Sequence, residues 1–238
     1  MSLGKRLFNE GLPPDRVGVF ASSGAMNTGN ISSKDVILFP QPINNITRND
    51  YSLSVWVKWD QLNQPDSNNG AAAIMGLGNG TSSSLMILWN DNGSYPNKPH
   101  ISSDGGGALF ASTSLSAGWH HLVYVIKSTA KIYIDGSLDA SGSFSQGSRS
   151  YYDIIGCKLN SVNSNQSLFQ GQMNDFRIFN REVTSSEVTT LYGETNGSLG
   201  NDPFSDSSCK CFINFEDNTN DQTGNQTMTG YNITYTNK

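Results

Sequence analysis

The side chains of this chain that could do chemistry are few and scattered. There are three histidines, His100, His120 and His121, and three cysteines, Cys157, Cys209 and Cys211. His120 and His121 suggest a metal or acid–base pair, but neighbours on a strand point to opposite faces and cannot share a ligand. No Ser-His-Asp set is visible in the sequence. Glycan hydrolysis needs two carboxylates across a cleft, whereas Asp153, Asp175 and Glu216 each stand alone in their strands. No glycine-rich phosphate loop opens a helix. Cys209-x-Cys211 is half a metal site with no second pair nearby. An odd cysteine count without an export signal favours free thiols over a bridge from Cys157 to Cys209 or Cys211. What the sequence does supply is a set of aromatic and amide-rich loops. Residues 89–104 carry Trp89, Asn90, Asp91, Asn92, Tyr95, His100 and Asp104, and Tyr151 and Tyr152 form a second aromatic pair. Aromatics stack on sugar rings and Asn or Asp fix hydroxyls, so the chemistry expected is binding, with glycan as ligand, and not catalysis.

The elements that must position these residues read as strands. The chain has 238 residues, only 15% charged, with 24 glycines and a net charge of −5. Such a composition suits short strands and polar turns in a core of sizeable extent. No basic cluster points to nucleic acid. No run reaches the roughly 18 apolar residues of a membrane span, and the first 20 residues lack the apolar segment of a signal peptide.

Residues 118–139 hold a β-meander: a run from Trp119, a turn at residues 128–130, a second strand at residues 131–134, and a two-residue turn at Asp135-Gly136, where both positions need φ > 0. Residues 51–60 alternate, with Tyr51, Leu53, Val55, Val57 and Trp59 on one face and Ser52, Ser54, Trp56 and Lys58 on the other. Further strands are expected at residues 35–39, 71–77, 84–90, 108–113, 151–156, 167–180 (with a kink at Gly171), 210–216 and 231–235. Residues 18–30, 61–70, 91–107, 142–150, 158–167 and 193–208 carry no strand pattern beyond a short apolar start at residue 18. Thr184-Ser185-Ser186-Glu187 fits a capping box that opens one short helix to about Tyr192. Many short strands and one helix make an all-β antiparallel sandwich.

Several of these segments, in order, resemble the laminin-G-like domain of the concanavalin A-like lectin/glucanase superfamily, a jelly roll. They are residues 51–58 with Trp56 and Lys58, Trp119-His120-His121 with residues 131–136, Ile154-Ile155-Gly156, residues 169–180 and residues 184–192. The likeness covers about residues 36–192. It implies that Trp56, Trp119, His121, Tyr133, Asp135, Gly136 and Gly171 are structural. It implies Ca²⁺ as the commonest ion, with Asp91, Asn92 and Asp104 as loop ligands and Asp217 with Asp221 as the next candidates; the alternative is no cofactor. Residues 209–238 resemble the usual start of such a domain. Either the domain is circularly permuted and these strands complete it, or they are the stub of a second repeat. The first is preferred, because a stub would expose unpaired edges. The chain thus divides into an arm (1–17), the jelly roll (18–208) and the C-terminal strands (209–238).

Residues 1–6, 191–195 and 209–235 also resemble virion structural proteins of marine bacteriophages. That looser likeness implies a capsid decoration, head-fibre or tail-fibre protein on the virion surface, made in the host cytoplasm. It would be a homo-oligomer anchored to other virion proteins by its N-terminal arm and able to touch cell-surface glycan, with no nucleic-acid or membrane partner. The other readings are a bacterial carbohydrate-binding module or adhesin and, third, a glycosidase.

Overall fold

The computed structural model describes residues 16–21, 34–39, 43, 46, 50–59, 72–77, 85–90, 97–103, 107–145, 153–161, 164–166, 168–194 and 197–237. In chain order the strands are β1 (Arg16–Phe20), β2 (Val36–Phe39), β3 (Tyr51–Trp59), β4 (Ala72–Leu77), β5 (Leu85–Asn90), β6 (His100–Ser103), β7 (Gly107–Phe110), β8 (Trp119–Ile126), β9 (Thr129–Ile134) and β10 (Ser137–Ser143). They continue with β11 (Asp153–Ile155), β12 (Lys158–Ser161), β13 (Ser164–Gln166) and β14 (Gly171–Phe179). Helix α1 (Ser185–Tyr192) precedes β15 (Cys209–Ile213), β16 (Thr229–Tyr231) and β17 (Thr234–Asn237).

Two antiparallel sheets stack face to face. The eight-stranded sheet runs β10-β9-β8-β3-β14-β1-β17, with β15 paired to β14 beyond the stretch that β1 occupies; the seven-stranded sheet runs β16-β2-β11-β4-β5-β6-β7. Strands β12 and β13 form a separate hairpin. The C-terminal strands enter both sheets: β15 pairs with β14, β16 with β2 and β17 with β1. The period of two explains the core. Leu53, Val55 and Val57 of β3 and Leu122, Tyr124 and Ile126 of β8 point inward with Ile37, Met75, Ile101, Ile155, Met173 and Ile178.

Asp135 and Gly136 adopt φ of 49° and 82°, the pair of positive values that a two-residue hairpin turn requires. Thr184 caps α1 through its side chain and Glu187 answers with its own, as the spacing predicts.

Several expectations need correction. Residues 91–107 are not one loop, since β6 lies within them, and residues 158–167 contain the β12–β13 hairpin. The last two residues of the expected arm, Arg16 and Val17, start β1; residues 1–15 lie outside the described residues, as do residues 61–70. The turn after β8 is tighter than expected, because β9 begins at Thr129. The single strand expected at residues 231–235 is two, β16 and β17, separated at Asn232 (φ 53°), which lets the chain cross from one sheet to the other. In each case the strand is held by cross-strand pairing in segments too short or too polar for an apolar period.

Candidate binding surface

The eight-stranded sheet is covered on its outer face over β3, β8, β9, β14 and β15. There α1 and the segment after it bury a second apolar cluster, in which Val123, Val125, Tyr133 and Phe179 meet Val183, Val188, Leu191, Cys209 and Phe212. Ser52 and Ser54 belong to this layer and are fully buried. Ser52 Oγ donates to the Arg181 carbonyl and accepts from the Val183 N–H. Arg177 and Glu194, each 1% exposed in their side chains, form a two-pronged ion pair at 2.6 and 2.8 Å. The guanidinium also lies 3.8 Å above the Phe212 ring and donates to the Gly200 carbonyl, while Glu194 accepts the Leu199 N–H. This pair ties Glu194, Leu199 and Gly200 to β14.

The motif residues of the meander belong to the same layer or its rim. His121 is buried, with Nε2 2.9 Å from Ser54 Oγ and its ring against Trp56. Tyr192, the last residue of α1, stacks on Trp56 at 5.6 Å, and a Cβ on Gly136 would sit 2.8 Å from the Tyr192 ring. Tyr133 hydroxyl is 3.2 Å from Ser185 Oγ. Trp119 is half-buried and pairs with Lys58; Gly171 opens β14. Asp135 accepts the His121 N–H at 2.9 Å and meets His120 Nδ1 at 2.8 Å.

The second nitrogen of His120 faces Ser116. The alignment Ser116–His120–Asp135 has the order of a nucleophilic triad, and the sequence reading missed it because its members lie on three successive elements. It does not suit acyl transfer. Nε2 lies 3.4 Å from Ser116 Oγ, longer than a nucleophile–base hydrogen bond, and nearer, at 3.2 Å, to the Ser116 carbonyl oxygen. His120 is a strut between the segment before β8 and the β9–β10 turn.

Of the glycan-binding candidates, Trp89, Asn90 and His100 fall among the described residues, all in the seven-stranded sheet. Trp89 and Asn90 end β5, where Asn90 pairs with Ala72. Asp91, Asn92 and Tyr95, which follow, lie outside the described residues. The other end of the sheet is the row Asp153, Leu77, Leu85, Ser103 and Gly107. Asp104 follows that row in sequence and Tyr151-Tyr152 precede it; all three lie outside the described residues. The six residues of β5 set the two ends about 17 Å apart. His100 is not the exposed platform expected of it. It starts β6, is 2% exposed, and stacks on Phe110 with centroids 4.7 Å apart.

Asp221 is not a free metal ligand either. Its Oδ1 accepts the N–H groups of Phe212 and Thr223, and its Oδ2 accepts Thr223 Oγ1 and the N–H groups of Asn225 and Gln226. Those five bonds occupy the roughly four lone-pair sites of a carboxylate. Asp217 stands in a turn at φ 65°, its N–H bonded to the Phe215 carbonyl. Among the described residues no three His, Cys, Asp or Glu side chains gather as metal ligands. The cysteines sit in three different apolar clusters, which rules out Cys209 and Cys211 as a joint ligand pair. Burial pushes the Cys209 thiol up to about 12 and raises those of Cys157 and Cys211 as well, so none is a reactive thiolate.

Comparisons with known proteins agree on the fold. The family model Laminin_G_3, described as concanavalin A-like lectin/glucanases superfamily, matches residues 31–189. No curated protein sequence matches the chain. Among solved structures, a Bacteroides ovatus protein described as carbohydrate binding aligns with a TM-score of 0.64 at 13% identity, over 95% of this chain and 60% of its own. The native heptameric SAP-like pentraxin of Limulus polyphemus aligns with a TM-score of 0.59 at 11% identity, over 95% of its own length and 94% of this chain. The binding domain of botulinum neurotoxin DC, solved in complex with SialylT, reaches 0.50 at 14% identity over 76% of this chain and 42% of its own. At these identities the likeness is one of fold.

Proposed function

Since the chain belongs to the concanavalin A-like lectin/glucanase superfamily, we propose that it is a non-enzymatic glycan-binding domain whose ligand surface lies on the side of the seven-stranded sheet. The observation that supports this reading is the cover on the other side: α1, the segment after it and the Arg177–Glu194 pair bury the outer face of the eight-stranded sheet over β8, β9, β14 and β15. The descriptions of the Bacteroides ovatus protein and the neurotoxin domain support the choice of glycan. Trp89, Asn90, Asp91, Asn92 and Tyr95, at and beyond the end of β5, are the contact residues proposed, with Asp104, Tyr151 and Tyr152 as a separate group at the opposite end. Any Ca²⁺ would act at Asp91 or Asp104 and would fix hydroxyls there.

The carrier proposed is a bacteriophage particle, as capsid decoration, head-fibre or tail-fibre component, on the resemblance of residues 1–6, 191–195 and 209–235 to virion structural proteins. A bacterial carbohydrate-binding module would use the same surface. The test is a glycan array probed with the isolated chain. Selective binding that is lost in Trp89→Ala, with the fold retained, supports the reading. Absence of selective binding on the array overturns the glycan assignment, and absence of the chain from purified particles overturns the virion one.

A further inference from the structure

Strand β14 is irregular in its middle. Asn174 stands opposite Trp56 and Arg177 opposite Ser54, so the two residues between them, Asp175 and Phe176, meet the single residue Val55 of β3. This is a bulge, and Asp175 takes a φ of 47° within it. Residues three apart on a regular strand point to opposite faces. Here the extra residue brings Asn174 and Arg177 to the same, outer face. Trp56 and Ser54 belong to that face, since Trp56 stacks on Tyr192 of α1 and Ser54 meets His121. Met173, Phe176 and Ile178 point the other way, into the core between the sheets.

Asn174 and Arg177 are each 1% exposed. The guanidinium is gripped at its far end. Nη1 and Nη2 donate to the two oxygens of Glu194, Nη2 also donates to the Gly200 carbonyl, and the Phe212 ring lies 3.8 Å away. That grip leaves Nε out. Arg177 Nε is buried with no hydrogen-bond partner among the described residues, and so is Asn174 Oδ1. One is a donor and the other an acceptor. The direct bond between them is not made, because the guanidinium is held by its other contacts and Asn174 by the register of the strand. The positions opposite them on β3 are about 7 Å apart, and a bridge of two hydrogen bonds spans about 5 Å.

We propose that these two groups form a binding site for one ordered water, which donates a hydrogen to Asn174 Oδ1 and accepts the Arg177 Nε–H on a lone pair. Water is the ligand that this chemistry selects. The site offers one donor and one acceptor beneath the cover formed by α1 and the segment after it. An anion there would meet the Asn174 oxygen, and a metal cation would meet the guanidinium. A buried water with two polar partners is a structural part of a fold. Asn174 is then a positioning residue. Through the water it holds the near side of a guanidinium whose far side holds Glu194, and the bulge in β14 is what places it to do so.

Two measurements on the full chain test this, independently of any glycan result. In a crystal structure that shows ordered solvent, one water is expected within about 3.2 Å of both Asn174 Oδ1 and Arg177 Nε. In solution, the Arg177 Nε–H resonance, assigned through its side-chain carbons, should show a rotating-frame cross-peak to water. Its sign should be the one that marks proximity and not proton exchange. Asn174→Leu removes the acceptor, so in that variant the cross-peak should be lost. If the variant does not fold, the crystal structure of the wild type decides alone. A direct bond between the two side chains, an interior without solvent at that point, or a cross-peak of full strength in Asn174→Leu overturns the proposal.

Discussion

The Arg177–Glu194 pair gives the sharpest test of how the outer layer is held. Both side chains are 1% exposed and share two hydrogen bonds of 2.6 and 2.8 Å. In Glu194→Gln the guanidinium stays buried over Phe212 with no opposite charge. Removing one partner of a buried pair costs about 3–5 kcal/mol. For a chain of this size each kcal/mol lowers Tm by about 2–4 °C, so the variant should melt roughly 6–20 °C below the wild type. The double variant Arg177→Met, Glu194→Leu removes both charges and leaves apolar volume against Phe212. It forfeits the bonds to the Gly200 carbonyl and from the Leu199 N–H, each about 1–3 kcal/mol if left unpaired. It should therefore be destabilised by clearly less than the two single variants added together. Thermal unfolding followed by circular dichroism and calorimetry reads five proteins: the wild type, Glu194→Gln, the single variants Arg177→Met and Glu194→Leu, and their double variant. A Glu194→Gln variant within about 2 °C of wild type, or strictly additive costs in the double variant, would refute the argument that this pair closes the outer face.

Other outcomes follow from the same geometry. Thr184→Ala removes the helix cap and should cost about 1 kcal/mol in chemical denaturation. Gly136→Ala places a methyl group 2.8 Å from the Tyr192 ring at a φ of 82°, so it should lower Tm, while an alanine at Gly200, where nothing lies within 4 Å, isolates the cost of a positive φ alone. Asp221→Ala strands the Phe212 N–H and should cost about 1–3 kcal/mol; in the wild type, any rise of Tm with added Ca²⁺ should persist in this variant, and its loss there would return Asp221 to the list of metal ligands. Acid sensitivity has a stated sign. Hydrogen bonding to Arg181 holds the Glu187 carboxyl below its ordinary value of 4.5, and Lys131 does the same for Glu182. Their contribution is complete above the ordinary glutamate value and is lost as pH falls through the lower folded value. The stability gap between wild type and Arg181→Gln should accordingly be present at neutral pH and shrink in acid; a gap independent of pH would count against it.

What could be read from the sequence was local, and what could not was a matter of partners far along the chain. The alternation of residues 51–59, the Asp135-Gly136 turn and the Thr184–Glu187 capping box each depend on neighbours within a few positions, and the structure has all three. The polar strands β6, β12 and β13 carry no apolar period, so only their cross-strand pairing reveals them. β1 looks too small and glycine-broken to be an interior strand. Its glycine is required: a Cβ on Gly18 would fall within 2.4 Å of the Phe215 ring, which packs there from a left-handed backbone position (φ 58°).

The same distinction governs the candidate site. Ser52 and Ser54 alternate with the core residues of β3 and so read as a solvent face, yet both are buried because α1 and the segment after it lie over them. Asp221 reads as a loop carboxylate fit for a cation, yet its lone pairs are consumed by the chain's own N–H and O–H groups. His100 reads as a loop residue and is a strand residue stacked on Phe110. In each of these cases the polar side chain is spent on holding the scaffold. A polar side chain saturated by its own chain has no remaining capacity for a ligand. Binding of any ligand must therefore use groups that the scaffold leaves unspent, and among the described residues that argument removes His121, Asp221 and the Ser52–Ser54 layer.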